Sequence, residues 1–569
     1  MLDKFIAAFI IFFGLKYLIK YFPKLQEISP GENKYIKYAF VVCGILFLLF
    51  GILLQPSYYF PHNLGVQGDN IGMTYFAVTD ENILWVHHPL FPLIPAKLIA
   101  WTTKLNISDI NDPLYYEKAS RMMSLPARVV TSCVLVLLAA FIYRLRKSFY
   151  EAVLVFFFFA TSYGCWIWAL QGNGMGLAIS MEIIIFLTLV YWYNSKKQWV
   201  LFVVGFLIGI GVALHIALSY MALGLACAVP IVLFLDKRIT KNDKFLGLLY
   251  FLNSSLALLV LFFLLQFTIN DNSDLVQIFH ILADTSFQGA YELNISTLIT
   301  NFYHALLNNF TFIVNFFIDY EINYSEYVNN SIEDTGYLKL MYVLHVIHYA
   351  LLLALVIAIL FNIKTILSGL RNSGYSQLLI ISSFSVSLVF LVLFTLRPGA
   401  SNHYYVLDTV PNLFLIMALL WNIENKQFKT MQNILVIMFI VTGLIYNTYS
   451  PASVYKGNNL NDHSYYRLSE IINSTTATGN SIFYTDLDME FFTNRWMDDY
   501  YGKLKYKNIT WSNTHNTINA DSLVSIIEKD LKGNNNIFIG QQVKEKISGG
   551  LNKFKVSEIE QGLWQLGLD

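Results

Sequence analysis

The sequence predicts an all-α polytopic membrane bundle of about 11–12 transmembrane helices with a small C-terminal extracytoplasmic α/β domain. Three observations predict it. Only 13% of the 569 residues are charged and 56% are hydrophobic, whereas a soluble domain carries about 25% charged residues. Apolar runs long enough to cross a bilayer recur as far as residue 450. Beyond Ser450 charge returns, and no apolar run exceeds the length of a strand. This composition excludes an ordinary soluble enzyme and a disordered chain. Lys+Arg and Asp+Glu are both 38; with no basic excess, zinc-finger spacing or RNP motif, no nucleic-acid partner is expected. Cys43, Cys133, Cys165 and Cys227 each sit inside an apolar run, spaced neither for zinc nor for a disulfide framework.

Taken in order, the runs lie near 38–54, 125–142, 150–170, 175–194, 199–218, 219–235, 245–267, 338–361, 377–396, 404–421 and 432–450. Each approaches the roughly 20 apolar residues that a spanning helix needs. An earlier run, 5–21, carries Lys16 and Lys20 and reads as a further span or an interfacial helix. It has no small-residue cleavage site, so it is not expected to be a removable signal.

Orientation follows from Lys and Arg in short loops. Basic residues mark RLRKS (Arg144, Arg146, Lys147), SKKQ (Lys196, Lys197), DKRITKNDK (Lys237, Arg238, Lys241, Lys244), NIKTILSGLRN (Lys364, Arg371) and NIENKQFKT (Lys426, Lys429). These are alternate loops, so all are expected to be cytoplasmic. Segments 55–124, 268–337, 397–403 and the tail beyond 450 then lie outside. The expected division is a membrane domain over 1–450, with long outer loops 55–124 and 268–337, and a soluble outer domain over 451–569.

Long loops are usually functional. In the second, Asn301, His304, Asn308 and Asn315 fall on one helical face, so a helix lying in the outer interface is expected. The first contains HHPLFPLIPAKLIAW, too short and proline-rich to span, and is read the same way. In the tail, SIFYTD and NIFIG read as strands, DSLVSIIEKDL as an amphipathic helix and VKEKI as a short one. FKVSEIEQGLWQL reads as a final strand or hairpin, and SEIINSTTA as a helix end.

The first outer loop carries the residues suited to chemistry. Gly68-Asp69-Asn70 is followed about twenty residues later by His87-His88-Pro89-Leu90. A carboxylate at a water–lipid boundary suits general-base work on an acceptor hydroxyl. His87, His88, Lys97 and Arg121 could neutralise a departing phosphate. The plainer alternatives are that Gly-Asp-Asn is a turn, that the His pair is an exposed extended segment, and that Asp80-Glu81 is a solvated turn or cap. Arg397 and His403 flank a very short outer loop; Arg397 is either a snorkelling side chain or a lipid-phosphate ligand. At membrane depth, Glu182 reads as bundle glue or a site residue. His215 reads as a packed histidine. His345 and His348 share a face, which two ligands alone do not make into a metal site.

The order of these features resembles the GT-C superfamily of polyprenyl-phosphate-sugar glycosyltransferases, in its protein O-mannosyltransferase-like and lipid A aminoarabinose-transferase-like branches. Three stretches carry the likeness: the Asp69 loop with HHPLFPLIPAKL, the segment from RMMSLPARVV through WIWALQGN, and NHYYVLDTVPNLFLIMALLW. The resemblance implies that Asp69 is the catalytic loop aspartate. It also implies that His88-Pro89-Leu90 stand for an H-P-P-L-like motif, and that Lys97 lies in a helix contributing to donor-phosphate binding. Two departures matter. Gln171-Gly172-Asn173 stand where many members place a second acid, which weakens a metal held between two carboxylates and leaves a divalent metal open. Asp408 stands where the late motif has an apolar residue or proline.

By that resemblance the chain is an inverting glycosyltransferase taking sugar from a polyprenyl-phosphate donor to an extracytoplasmic lipid, glycan or protein. The expected partners are that donor, membrane lipid and the acceptor. The expected setting is a bacterial inner membrane, with the site and C-terminal domain periplasmic. The alternatives are a transporter or flippase of a lipid-linked substrate and an O-antigen polymerase or ligase.

Overall fold

The structure is a computed structural model. It describes residues 33–53, 115–162, 164–166, 175–215, 218–237, 239–269, 294–314, 335–364, 374–396, 409–421, 426–449, 480–484, 509–512, 518–560 and 563–568. The apolar helices and the C-terminal sheet belong to separate compact units.

Among the described residues, the helices of the first unit are α1 (Asn33–Leu53), α2 (Tyr115–Arg146, whose residues up to Met123 fall in the second unit), α3 (Phe149–Ala160), α4 (Met175–Ser195), α5 (Trp199–Leu214) and α6 (Leu218–Leu235). They continue with α7 (Lys241–Ile269), α8 (Ile295–Val314), α9 (Thr335–Phe361), α10 (Gly374–Leu396), α11 (Thr409–Trp421) and α12 (Lys426–Tyr449). Every apolar run from 38 onward coincides with one of these helices, in whole or in part. Among the described residues, four segments are long and apolar enough to cross a membrane: Leu125–Arg146, Gly176–Ser195, Leu218–Leu235 and Gly374–Val392. Segment 5–21 and the HHPLFPLIPAKLIAW stretch lie outside the described residues.

Helices with one wet face expose few large apolar side chains. Here Phe202 and Phe206 of α5, Leu223 and Phe234 of α6, Leu353 and Leu360 of α9 and Phe384 and Leu388 of α10 all point outward. The interior is apolar too: Phe186 stacks on Phe414 at 4.8 Å, and Phe159 meets Phe414 edge-on at 5.1 Å. Helices apolar both inside and outside suit lipid as solvent, and the chain is an integral membrane protein.

Small residues let these helices approach. A Cβ on Gly224 of α6 would lie 2.6 Å from the Cα of Val386 in α10. One on Gly205 of α5 would lie 2.7 Å from the carbonyl oxygen of Phe251 in α7. Such contacts replace the hydrophobic drive that lipid removes.

Two basic loops are sharp reversals. α2 ends on Arg144 and Arg146, favourable at a helix C-terminus. Lys147 then takes φ 58°, and Ser148 caps α3 by accepting from the backbone N–H of Glu151. Lys196 takes the same φ between α4 and α5 and bonds Asp236 beyond α6.

One expected span is corrected. The run 150–170 is not a continuous helix, because α3 stops at Ala160. In the turn that follows, the Thr161 and Ser162 hydroxyls each donate to a carbonyl one turn back, at 2.7 Å. A helix is present in the second outer loop, α8, and Asn301, from its expected polar face, is turned inward. Asn301 and Ala305 are buried, and Asn301 donates to the Thr395 carbonyl of α10 at 3.3 Å. Ile295, Ile299 and Tyr303 face outward. Where lipid is the solvent, the amide is better satisfied inside.

The second unit contains a five-stranded sheet in the order β2-β1-β3-β5-β4, from β1 (Ser481–Tyr484), β2 (Ile509–Ser512), β3 (Asn536–Gly540), β4 (Phe554–Glu560) and β5 (Leu563–Leu568). The first three strands are parallel; β4 and β5 form an antiparallel hairpin joined to β3 through β5. Helices α13 (Ala520–Lys532) and α14 (Gln541–Lys546) complete it. Strand alternation sends Ile537, Ile539 and Tyr484 into a core with Leu523 and Ile527 of α13. Phe483 and Phe538 stack at 4.5 Å on the opposite face and are also fully buried, as suits a parallel sheet covered on both sides. The strands, helices and hairpin expected here are present. β2, Ile-Thr-Trp-Ser, was not expected. SEIINSTTA lies outside the described residues.

The buried Tyr484 hydroxyl donates to the Asp530 carboxylate of α13. Burial, and then the neighbouring carboxylate, push this phenol well above its usual range, which is near 10 in an unfolded chain. Above pH about 10 the unfolded chain loses the proton first, so stability present below that pH falls as pH rises. Urea-dependent cleavage of this domain by subtilisin should therefore need less urea at pH 10.5 than at pH 8. Tyr484→Phe should flatten the difference; an equal drop in that variant assigns the alkaline loss to other groups.

Candidate functional site

Of the residues singled out from sequence, Asp69, His87, His88, Lys97, Arg397 and His403 lie outside the described residues. Arg121 lies in α2. The described residues do place a polar nest among the helices, on the side of the bundle away from the basic loops.

Its frame is α2. Arg128, Thr131 and Ser132 are spaced i, i+3, i+4 and so share one helical face; all are buried. The Thr131 and Ser180 hydroxyls hydrogen-bond at 2.9 Å, pinning α2 to α4, and Ser180 also donates back to the Gly176 carbonyl at 2.8 Å. Ser132 donates to the Gly44 carbonyl of α1 at 2.6 Å. Gly44 has no side chain because a Cβ there would lie 2.4 Å from Val136 Cγ2. Arg128 lies three residues before Thr131 on α2, and Glu182 lies two residues beyond Ser180 on α4, off the helical face that carries Ser180.

Glu182 is fully buried, as expected from its place in the run 175–194. Cys165, also fully buried, lies near Ser162 and near Glu182. The short turn after α3 thus belongs to the same nest. Trp166 packs edge-on against Phe47 of α1 at 5.8 Å. The amide of Asn447 in α12 donates to the Thr161 carbonyl at 3.0 Å and holds this turn in place.

Outside the nest, His215 caps α5, its backbone N–H donating to the Gly211 carbonyl at 2.9 Å, and is buried, in keeping with a packed histidine. His348 is fully buried and lies 5.3 Å from the Phe439 ring. Among the described residues no three His, Cys, Asp or Glu side chains gather in a way that could hold a metal ion.

Arg128 was not singled out from sequence, although a signal was present. It is an arginine inside the apolar segment Leu125–Arg146, well before the basic residues at that segment's end.

No family model and no curated protein matches the chain. Among solved structures, the chain is similar to the crystal structure of ArnT from Cupriavidus metallidurans bound to undecaprenyl phosphate, at 9% identity. The match covers 93% of this chain and 97% of that one, with a TM-score of 0.48. A score at that level does not by itself set a common fold. The class defined by the described residues is an α-helical integral membrane protein with a C-terminal α/β domain.

Proposed function

We propose that the protein is an inverting glycosyltransferase of the GT-C type, moving a sugar from a polyprenyl phosphate to an extracytoplasmic lipid, glycan or protein. The observation that carries this reading is the burial of Arg128 and Glu182 among apolar helices. Ionisable side chains at membrane depth are costly and mark substrate paths. A guanidinium offers a planar fork of donors that matches a phosphate. An apolar slot of about 270 Å³ between α5, α6 and α7, lined by Val212, Ala222 and Leu252 among others, offers space of the kind an isoprenoid tail fills.

In the proposed reaction Asp69 takes the proton from the acceptor hydroxyl. The acceptor oxygen then attacks the anomeric carbon from the face opposite the phosphate. The bond from that carbon to the phosphate oxygen breaks, and polyprenyl phosphate leaves with its negative charge. Cationic side chains drawn from Arg121, Arg128, Lys97, His87, His88, Arg397 and His403 stabilise that charge as it develops. The proposed setting is a bacterial inner membrane, with this face and the C-terminal domain in the periplasm.

A second reading, a transporter of a lipid-linked substrate, is favoured by the complete burial of Glu182 and His348, which could relay protons.

Photolabelling tests the donor site. A polyprenyl phosphate carrying a diazirine should label residues within 55–124 or α2 saturably, and unlabelled polyprenyl phosphate should compete. Labelling that neither saturates nor is competed would contradict a donor site there.

A further inference from the structure

At the opposite end of the bundle, beside the basic loops, lies a second cavity that the proposed reaction does not use. Its volume is about 70 Å³, larger than the roughly 30 Å³ share of one water and suited to a group of phosphate size. Its polar lining comes from Arg146 at the end of α2, Glu151 of α3, and Lys429, Gln432 and Asn433 of α12. Glu151 accepts from Arg146 Nε at 2.8 Å and from Lys429 Nζ at 3.1 Å. Arg146 also donates to the Tyr375 hydroxyl at 3.2 Å and stacks over Trp421 at 5.5 Å. The guanidinium is thus held in one place.

Two features of this cavity point to a ligand. First, among the described residues lining it, two cations meet one carboxylate, leaving a single positive charge. Second, Gln432 is 4% exposed, and its Nε2 has no hydrogen-bond partner. A buried amide donor left unsatisfied is destabilising, and an acceptor oxygen entering the cavity would satisfy it. The rest of the wall is apolar, including Leu154, Phe158 and Val436. A singly charged group with free oxygens, attached to a hydrocarbon chain, fits all three properties.

We propose that this cavity binds the phosphodiester of an anionic phospholipid, with Lys429, Arg146 and the Gln432 amide on its oxygens and an acyl chain along the apolar wall. Basic pockets between membrane helices are suited to acidic head groups. On the loop-charge reading this is the cytoplasmic leaflet. The proposal stands apart from the sugar-transfer reading and does not depend on it.

The test uses the full-length protein in phosphatidylcholine nanodiscs, with bound lipid counted by native mass spectrometry after release into gentle detergent. Added phosphatidylglycerol of matched acyl chains should be retained at least tenfold over phosphatidylcholine. Lys429→Ala combined with Gln432→Leu should bring the two lipids to parity. Because Lys429 is about half exposed, Lys429→Ala alone keeps the test valid should the double variant fold poorly, and it should cut the preference severalfold. No preference in the parent protein, or a preference unchanged by Lys429→Ala, would overturn the proposal. So would displacement of the lipid by millimolar inorganic phosphate, which would identify the ligand as free phosphate.

Discussion

Asp69→Asn is expected to reduce sugar transfer by at least about 10²-fold, the lower end of what a positioned general base contributes. The amide keeps the size and turn-forming capacity of the carboxylate but cannot accept the acceptor's proton at neutral pH. Donor binding, read as photolabelling, should change little, because the base acts on the acceptor. Folding should also be retained, since Gly-Asn-Asn is as good a turn as Gly-Asp-Asn. The measurement is initial rate and labelling side by side in the same reconstituted preparations. Full activity in the variant would remove Asp69 from the mechanism, and loss of both rate and labelling would recast it as a structural residue.

Gly224→Leu should be the most disruptive single change in the described bundle. The added Cβ would lie 2.6 Å from Val386 Cα and 2.9 Å from its backbone N. These are backbone atoms, so no rotamer change relieves the clash, and α6 and α10 must separate. Overpacking of this kind costs typically 1–3 kcal/mol, occasionally more. A marked fall in the thermal unfolding midpoint in detergent is expected. Leu223→Ala, at a neighbouring position that faces outward, should leave the midpoint nearly unchanged. Val386→Gly should not rescue Gly224→Leu, because the obstructing Cα remains. A midpoint for Gly224→Leu equal to that of the parent would refute the close approach of these helices.

The hydropathy of the chain made the helices legible because lipid imposes a simple requirement on length and polarity. It did not show where a helix stops: the run 150–170 is uniformly apolar around Thr161 and Ser162, yet α3 ends at Ala160. Hydropathy also says nothing of which way a polar stripe turns. The asparagines of α8 looked outward to water, but Asn301 turns inward to Thr395, because the outer surface is a poor solvent for an amide. In the C-terminal unit, propensity and alternation were enough for β3 and α13, whose signals run over five and thirteen residues. The expected chemistry was placed on a loop, where sequence offers residue types without positions. The buried hydroxyl pair of the nest, Thr131 with Ser180, joins residues 49 apart in the chain and has no sequence signature.

The most direct measurement is the fate of the donor. Purified protein in proteoliposomes, supplied with a panel of synthetic polyprenyl-phosphate sugars and an envelope extract as acceptor, should release free polyprenyl phosphate and form a glycosylated product of inverted anomeric configuration. If the protein instead carries the intact donor across the bilayer, with the bond from sugar to phosphate uncleaved throughout the panel, it is a transporter and the glycosyltransferase account is wrong.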